Sequence, residues 1–236
     1  MERRNILLGA ALLGAGVPAA QTLGARGAAA APRNGPLRVH VVMFDGAEEQ
    51  DFIAPYEVFS LAGALSERGV EVDYVTTGRP RLVRSAFGTR VRVDRVWDPR
   101  SADVIVVPGG GYRRREGPGV WAEIADGTLP RALADAPRRG LTIASLCTGA
   151  FLLSEAGLLR GRPCTTHHRA RADLEARGGV LKDARVVDDG DVVTAGGVTS
   201  GLDLGLWLVR RELGPDTAIG VEGVLEYRAD GTVWTR

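Results

Sequence analysis

The chain is predicted to fold as a doubly wound α/β domain, a mostly parallel sheet sandwiched by helices, and three observations predict it. Strand-like and helix-like segments alternate from Leu37 onward. Val104-Ile105-Val106-Val107 is an uninterrupted apolar run, as suits a parallel strand covered on both faces. Ile143-Ala144-Ser145-Leu146-Cys147-Thr148-Gly149-Ala150-Phe151-Leu152-Leu153 joins an apolar strand-like run to a helix-like run at one cysteine set among small residues, the pattern of a nucleophile elbow.

Each element has its own signal. Leu37 to Phe44 reads as a first buried strand with His40 as a core residue, and Ala54 to Arg68 as a helix with Pro55 in its first turn and Gly69 closing it. Val70 to Thr76 is a second strand, and Arg90-Val91-Arg92-Val93 alternates like an edge or hairpin strand. Pro108-Gly109-Gly110-Gly111 ends the all-apolar strand. A helical region around Trp121 to Arg138, the elbow strand Leu141 to Leu146, and the elbow helix to Ala156 follow. Next come a strand near Pro163 to Thr166 and a helix from about Ala170 to Arg177. Val186 to Asp188 and Val192 to Thr194 flank the turn Asp189-Gly190-Asp191, and Gly201 to Leu213 forms a long amphipathic helix.

The start of the chain has a different character. Arg3-Arg4, an apolar stretch from about Ile6 to Ala20 and the run Ala28 to Ala31 look like a twin-arginine export signal, so residues 1–31 are expected to be removed and 32–236 to form the single domain. The stretch is short of the ~20 residues that span a bilayer and is diluted by Gly9, Gly14, Gly16 and Pro18, which argues against a stable membrane anchor. Export implies a periplasmic or secreted protein. Without residues 1–30 the balance is 27 basic against 28 acidic residues, or −1, and no basic field is left for nucleic acid. Two cysteines, Cys147 and Cys164, do not make a disulfide scaffold, and Cys164 is expected to be buried.

In a doubly wound sheet, ligands bind beyond the carboxyl ends of the strands. The loops there carry Asp45 to Asp51, the triple glycine, Cys147, and His167-His168. Cys147 would sit exposed at a helix start, where unpaired N–H groups favour the thiolate. Lowering a cysteine pKa from ~8.5 to ~6.5 takes about 2.7 kcal/mol, whereas a helix end supplies ~0.3 to 1, so a second group should touch the sulfur. The competing reading of Cys147 is a buried small hydrophobe.

The chain resembles the ThiJ/PfpI family, which has the class I glutamine-amidotransferase-like fold with a flavodoxin-like sheet. The resemblance rests on Asp45-Gly46-Ala47-Glu48-Glu49-Gln50-Asp51 leading to Pro55-Tyr56-Glu57-Val58-Phe59, on Val107 to Gly111, and on Ser145 to Gly149 with Gly157-Leu158-Leu159-Arg160-Gly161. Within the family it is most similar to isonitrile hydratases and the sensor domains of AraC-type regulators, because Thr165-Thr166-His167 and Gly196-Gly197-Val198-Thr199-Ser200-Gly201-Leu202-Asp203 also fit. The resemblance implies Cys147 as nucleophile, Asp51 as its acidic neighbour, and the backbone N–H groups of Gly110 and Thr148 as anion donors. It also implies a homodimer.

Asp51 in a partly dry cleft would keep a proton to share with the sulfur; alternatively it caps a helix. Thr148 stands where protease-like relatives carry histidine, and its hydroxyl would orient water or substrate or simply bond locally. His167 is an accessory candidate. On a strand, His167 and His168 would point to opposite faces, and no third ligand accompanies them, so no metal is expected. The glycine run lacks the lysine of a phosphate loop, and no cofactor is expected. Arg113-Arg114-Arg115 reads as a solvated loop. The expected activity is cysteine-dependent hydration of a small electrophilic carbon, isonitrile to N-substituted formamide. The alternatives are a ligand-sensing domain of the same fold and a glyoxalase or deglycase-like enzyme on reactive carbonyls.

Overall fold

β1 (Leu37–Val42) starts the described part of the chain, which a computed structural model covers over residues 35–236; the export segment expected at 1–31 lies outside it. Helix α1 (Glu49–Leu65) returns the chain to β2 (Val70–Thr76), parallel to β1. A hairpin of β3 (Arg81–Arg84) and β4 (Arg90–Val93) stands apart as a two-stranded sheet before the short β5 (Arg95–Val96) rejoins β2. β6 (Val104–Val107) is buried at every position, as its apolar run requires.

The helical region expected around residues 121–138 is two helices, α2 (Val120–Asp126) and α3 (Thr128–Ala134). Gly127 between them has φ 74° and ends the first with a left-handed cap. β7 (Thr142–Leu146) and α4 (Ala150–Glu155) form the elbow. β8 (Pro163–Cys164) pairs with β9 (Val180–Leu181) across α5 (Arg171–Ala176), off the main sheet. β10 (Val186–Asp188) and β11 (Val192–Ala195) are the expected antiparallel hairpin. Then α6 (Ser200–Leu213), α7 (Pro215–Leu225) and β12 (Val233–Thr235) complete the domain.

The main sheet runs β12-β10-β11-β7-β6-β1-β2-β5 and is parallel except between β10 and β11. From β1 the chain winds outward through β2 to β5, then crosses to β6 on the other side and proceeds to β7 and β11. The switch of direction lies between β1 and β6, where such sheets open a crevice at their carboxyl ends. Helix α1 packs with α6 and α7, while α2 to α5 pack among themselves, so the sheet lies between two helical layers. Phe44, Phe52, Phe59 and Phe151 are the largest fully enclosed core side chains. Among the described residues no helix is long and apolar enough to cross a membrane.

Candidate active site

The elbow is a strained turn held from several sides. β7 ends at Leu146, and Cys147 adopts φ 51°, a conformation costing about 1–3 kcal/mol for a residue with a side chain. Its N–H donates to the Gly196 carbonyl at 2.6 Å, and its own carbonyl accepts from Thr166 Oγ1 at 2.6 Å. Any side chain on Gly149 would run into the Val107 carbonyl of the adjacent strand, so the turn is pressed against β6 as only glycine permits. The expectation of an exposed cysteine is corrected: Cys147 is 6% exposed, because the loops after β6 and β11 close over the elbow.

The acid comes from the start of α1. That helix begins at Glu49, earlier than the sequence reading placed it, so Asp51 lies inside the first turn. Glu48 caps the helix instead, its Oε2 accepting from the Asp51 N–H at 3.2 Å. The Asp51 carboxyl is thereby free of capping and turns inward, where Oδ2 accepts from Gly109 N–H at 2.8 Å. The Glu48 N–H in turn donates to the Gly109 carbonyl at 2.9 Å, so both residues are tied to the same glycine. Asp51 is fully buried, and its other oxygen, Oδ1, has no conventional hydrogen-bond partner; the carboxyl faces the Cys147 thiol and the Glu48 carboxyl.

Among the described residues, the largest influences on these two acids include no cation. Burial first, and then the Glu48 charge, push the Asp51 carboxyl well above the usual carboxylate range, against the pull of the Gly109 N–H. Glu48 is also raised, chiefly by burial. Burial and the facing Asp51 charge push the Cys147 thiol up to about 12, opposed by the backbone N–H groups of Val198 and Thr148 and by the Thr148 hydroxyl. Burial works against the thiolate expected at the helix start. The elbow offers a three-residue 3-10 turn and a six-residue helix, and desolvation outweighs so small a dipole. Burial thus favours the protonated form of both neighbours, the thiol and the acid.

Thr148 links the second loop to the sulfur. Its Oγ1 accepts from Gly110 N–H at 3.0 Å, which leaves the hydroxyl proton for Cys147. The Gly110 N–H therefore meets Thr148 rather than the open crevice. Gly110 has φ 141°, and a side chain there would strike the Gly46 carbonyl, so this backbone is pressed onto the loop that carries the acid. Sequence reading missed two contributors. Glu48 was hidden in a run of acids, and Val198 was part of a matched motif with nothing to mark it. Val198 has φ 42°, rare for a β-branched residue, and directs its N–H at the sulfur from the loop after β11.

The histidines do not lie on a strand. His167 caps a 3-10 turn over His168–Ala170, its Nδ1 accepting from Arg169 N–H at 3.2 Å, and the two rings stack at 4.3 Å instead of facing apart. His167 packs against Gly197 and lines an open cleft of about 550 Å³ with Thr166, Gly196 and Val198. Burial lowers its pKa below the ordinary imidazole value. Among the described residues no group of three or more His, Cys, Asp or Glu side chains could hold a metal ion. Arg115 is engaged elsewhere, over the Trp121 ring at 3.8 Å and 3.3 Å from Asp173. Cys164 is a buried free cysteine.

Fold and site together define a class: a doubly wound domain with a cysteine on a strained elbow, facing a buried acid across the switch point of the sheet. The chain belongs to the DJ-1/PfpI family, whose description matches residues 37–211. It is 31% identical over 192 residues to the isonitrile hydratase of Pseudomonas putida, covering 81% of this chain and 78% of that protein. A deglycase of Pyrococcus horikoshii is 30% identical over 151 residues, 63% of this chain and 82% of its own. Among solved structures, a ThiJ/PfpI family protein from Pseudomonas syringae superposes with a TM-score of 0.73 at 28% identity, covering 84% of this chain and 78% of that one. An AraC family transcriptional regulator from Pseudomonas putida gives 0.68 at 26% identity, covering 80% and 100%.

Proposed function

We propose that the protein is a cysteine-dependent hydratase that converts an isonitrile to an N-substituted formamide. The observation that carries this reading is the fully buried Asp51 carboxyl set against the Cys147 thiol with no cation among the largest influences on it. An isonitrile carbon must receive both a proton and a nucleophile, and such a pair offers both from one side. The similarity to an isonitrile hydratase over most of both chains supports the choice of substrate.

In the first half-reaction the Asp51 proton passes to the terminal carbon as the sulfur attacks it, and the thiol proton moves to the carboxylate so formed. The product is a thioimidate on Cys147, with no net change in protons. In the second, Asp51 must be ionised to draw a proton from water. The water oxygen bonds to the same carbon, Asp51 passes the proton it has drawn to the nitrogen, and the remaining hydroxyl proton goes to sulfur as the carbon–sulfur bond breaks, releasing the formamide and restoring the thiol. Val198 N–H, Thr148 N–H and the Thr148 hydroxyl, held by Gly110, steady the negative charge on sulfur. His167 lines the approach without a step of its own. On the Arg3-Arg4 and Ala28 to Ala31 segments alone the reading assigns the activity to an exported protein, and on the family resemblance alone to a homodimer.

The similarity to deglycases supports a second reading, attack of the same thiol on a reactive carbonyl. One experiment separates them. A panel of isonitriles and α-oxoaldehydes is offered to the protein and to Cys147→Ser, and products are identified by mass. Cysteine-dependent formamide is expected. Cysteine-dependent hydroxy acid would replace the hydratase reading with the second, and no turnover by a folded, reduced protein would overturn both.

A further inference from the structure

The proposed cycle asks two things of Asp51. It must carry a proton when the sulfur attacks and lose that proton before water does. A carboxyl with no exposed surface cannot hand its proton to bulk water directly, so the proton needs a place to go. Glu48 is suited to receive it. It is only half-buried, it sits one helical turn before Asp51, and its Oε2 is already within 3.2 Å of the Asp51 N–H. Both residues are tied to Gly109, Asp51 through Oδ2 at 2.8 Å and Glu48 through its backbone N–H at 2.9 Å, and the Glu48 carboxyl is held in turn by the Asp51 N–H. Asp51 Oδ1, buried and without a conventional partner, is the oxygen left over for a shared proton.

We propose that Glu48 is the proton-exchange partner of Asp51: the two carboxyls hold one proton between them, and its passage from Asp51 to Glu48 turns the acid of the first half-reaction into the base of the second. The transfer moves one proton from an Asp51 oxygen to a Glu48 oxygen, and it returns when the thiol is restored, so nothing is consumed. Two carboxyls so close do not ionise together, and they titrate as a pair. The other charged groups facing them are known. Glu49 beside Glu48 is held below the usual carboxylate range, against its burial, by hydrogen bonds from Ser85 Oγ at 2.6 Å and Phe87 N–H at 2.9 Å. On the other side stands Cys147. Glu48 acts through Asp51 and is in that sense a positioning residue.

This inference rests on the proposed role of Asp51, so its test reads the thiol and not turnover. The rate at which iodoacetamide alkylates Cys147 is followed against pH, with the modified peptide mapped by mass to separate it from Cys164. The protein is compared with Glu48→Gln, Asp51→Asn and the double variant. Glutamine keeps an oxygen to accept the Asp51 N–H, so the helix cap survives. Without the Glu48 charge, Asp51 ionises at lower pH and its charge opposes the thiolate. Alkylation near neutral pH is expected to slow on the order of tenfold, a shift of about one pH unit in the profile. In the Asp51→Asn background the Glu48→Gln effect should vanish. A Glu48→Gln profile that overlays the parent, or an effect undiminished by Asp51→Asn, would make Glu48 a helix cap and nothing more. Should Glu48→Gln fail to fold, carboxyl ¹³C resonances of the unmodified protein decide: both are expected to move together in two shared steps, and two independent single titrations would overturn the proposal. A protein that hydrates no isonitrile would still answer this question.

Discussion

Two groups of buried carboxyls in this molecule are built in opposite ways. At the β10 end of the sheet, Asp189 has no exposed side chain and is bound by Arg162 Nε at 2.5 Å; Asp203 is bound by Arg185 Nε at 2.5 Å and by the Tyr227 hydroxyl at 3.1 Å. Asp188 accepts from Trp207 Nε1 at 2.8 Å and Arg211 Nη1 at 3.0 Å. Each of these charges has a cation and a good hydrogen bond. Asp51 is equally buried but is given one backbone N–H, a second carboxyl and a thiol. An isolated buried charge is costly enough that the group keeps its proton instead. The contrast teaches that the two groups differ in their partners and not in their burial: cations meet the carboxyls beside β10, and a carboxyl and a thiol meet Asp51.

The largest effect expected from breaking this contrast is on turnover. Asp51→Asn keeps the shape of the side chain and removes the exchangeable proton, and turnover should fall about 10²- to 10⁴-fold with circular dichroism unchanged. The sign of its effect on stability is also fixed. The folded state holds the Asp51 proton at pH values where the unfolded chain has released it, so the acid costs stability as pH rises through and above the ordinary carboxylate range. Asp51→Asn should therefore be at least as stable as the parent at neutral pH. Asp189→Asn should do the reverse. It removes the buried charge that faces Arg162, which keeps only the more exposed Asp191, and urea unfolding should show a loss of about 1 to 2 kcal/mol with activity per folded molecule intact.

Glu123 sharpens the comparison as an intermediate case. Burial pushes it up to about 7, with Arg81 only partly offsetting. Its proton is bound in the folded state and lost in the unfolded chain between pH 4.5 and about 7, so its cost grows across that window and is constant above it. Glu123→Gln should raise stability by about 1 to 2 kcal/mol at pH 8 and by nothing measurable at pH 4, in unfolding curves at the two pH values. The smallest effect is expected at Val198. Replacing it with glycine relieves the φ of 42° but loosens the loop, so stability should change by no more than ~1 kcal/mol while turnover falls, measured by thermal unfolding alongside kcat.

Much of this was legible in residues 37–213. The apolar run Val104 to Val107, the elbow at Cys147 and the hairpin around Asp189-Gly190-Asp191 each carry a local signal, of hydrophobic period or turn chemistry, and each stands where it was expected. Boundaries were less legible. α1 starts at Glu49 because the Glu48 carboxylate caps it, and that choice among four neighbouring acidic and amide residues depends on where each side chain finds a partner. His167 and His168, expected to continue the strand that ends near Thr166, instead enter a 3-10 turn, because adjacent histidines carry no periodicity.

The sequence by itself determined the alternation of strands and helices between Leu37 and Leu213 and the presence of a thiol and an acid in the loops beyond the strand ends, since periodicity and glycine placement act over short distances, whereas the strand order and its switch point are long-range. Only the tertiary structure decided the surroundings of these two groups. Whether Cys147 sits exposed or at 6%, whether Asp51 meets a cation or Glu48, and whether Gly110 faces the crevice or Thr148 all depend on how tightly the loops after β1, β6, β7 and β11 close on one another. Desolvation and charge proximity are properties of that closed arrangement and of no single segment.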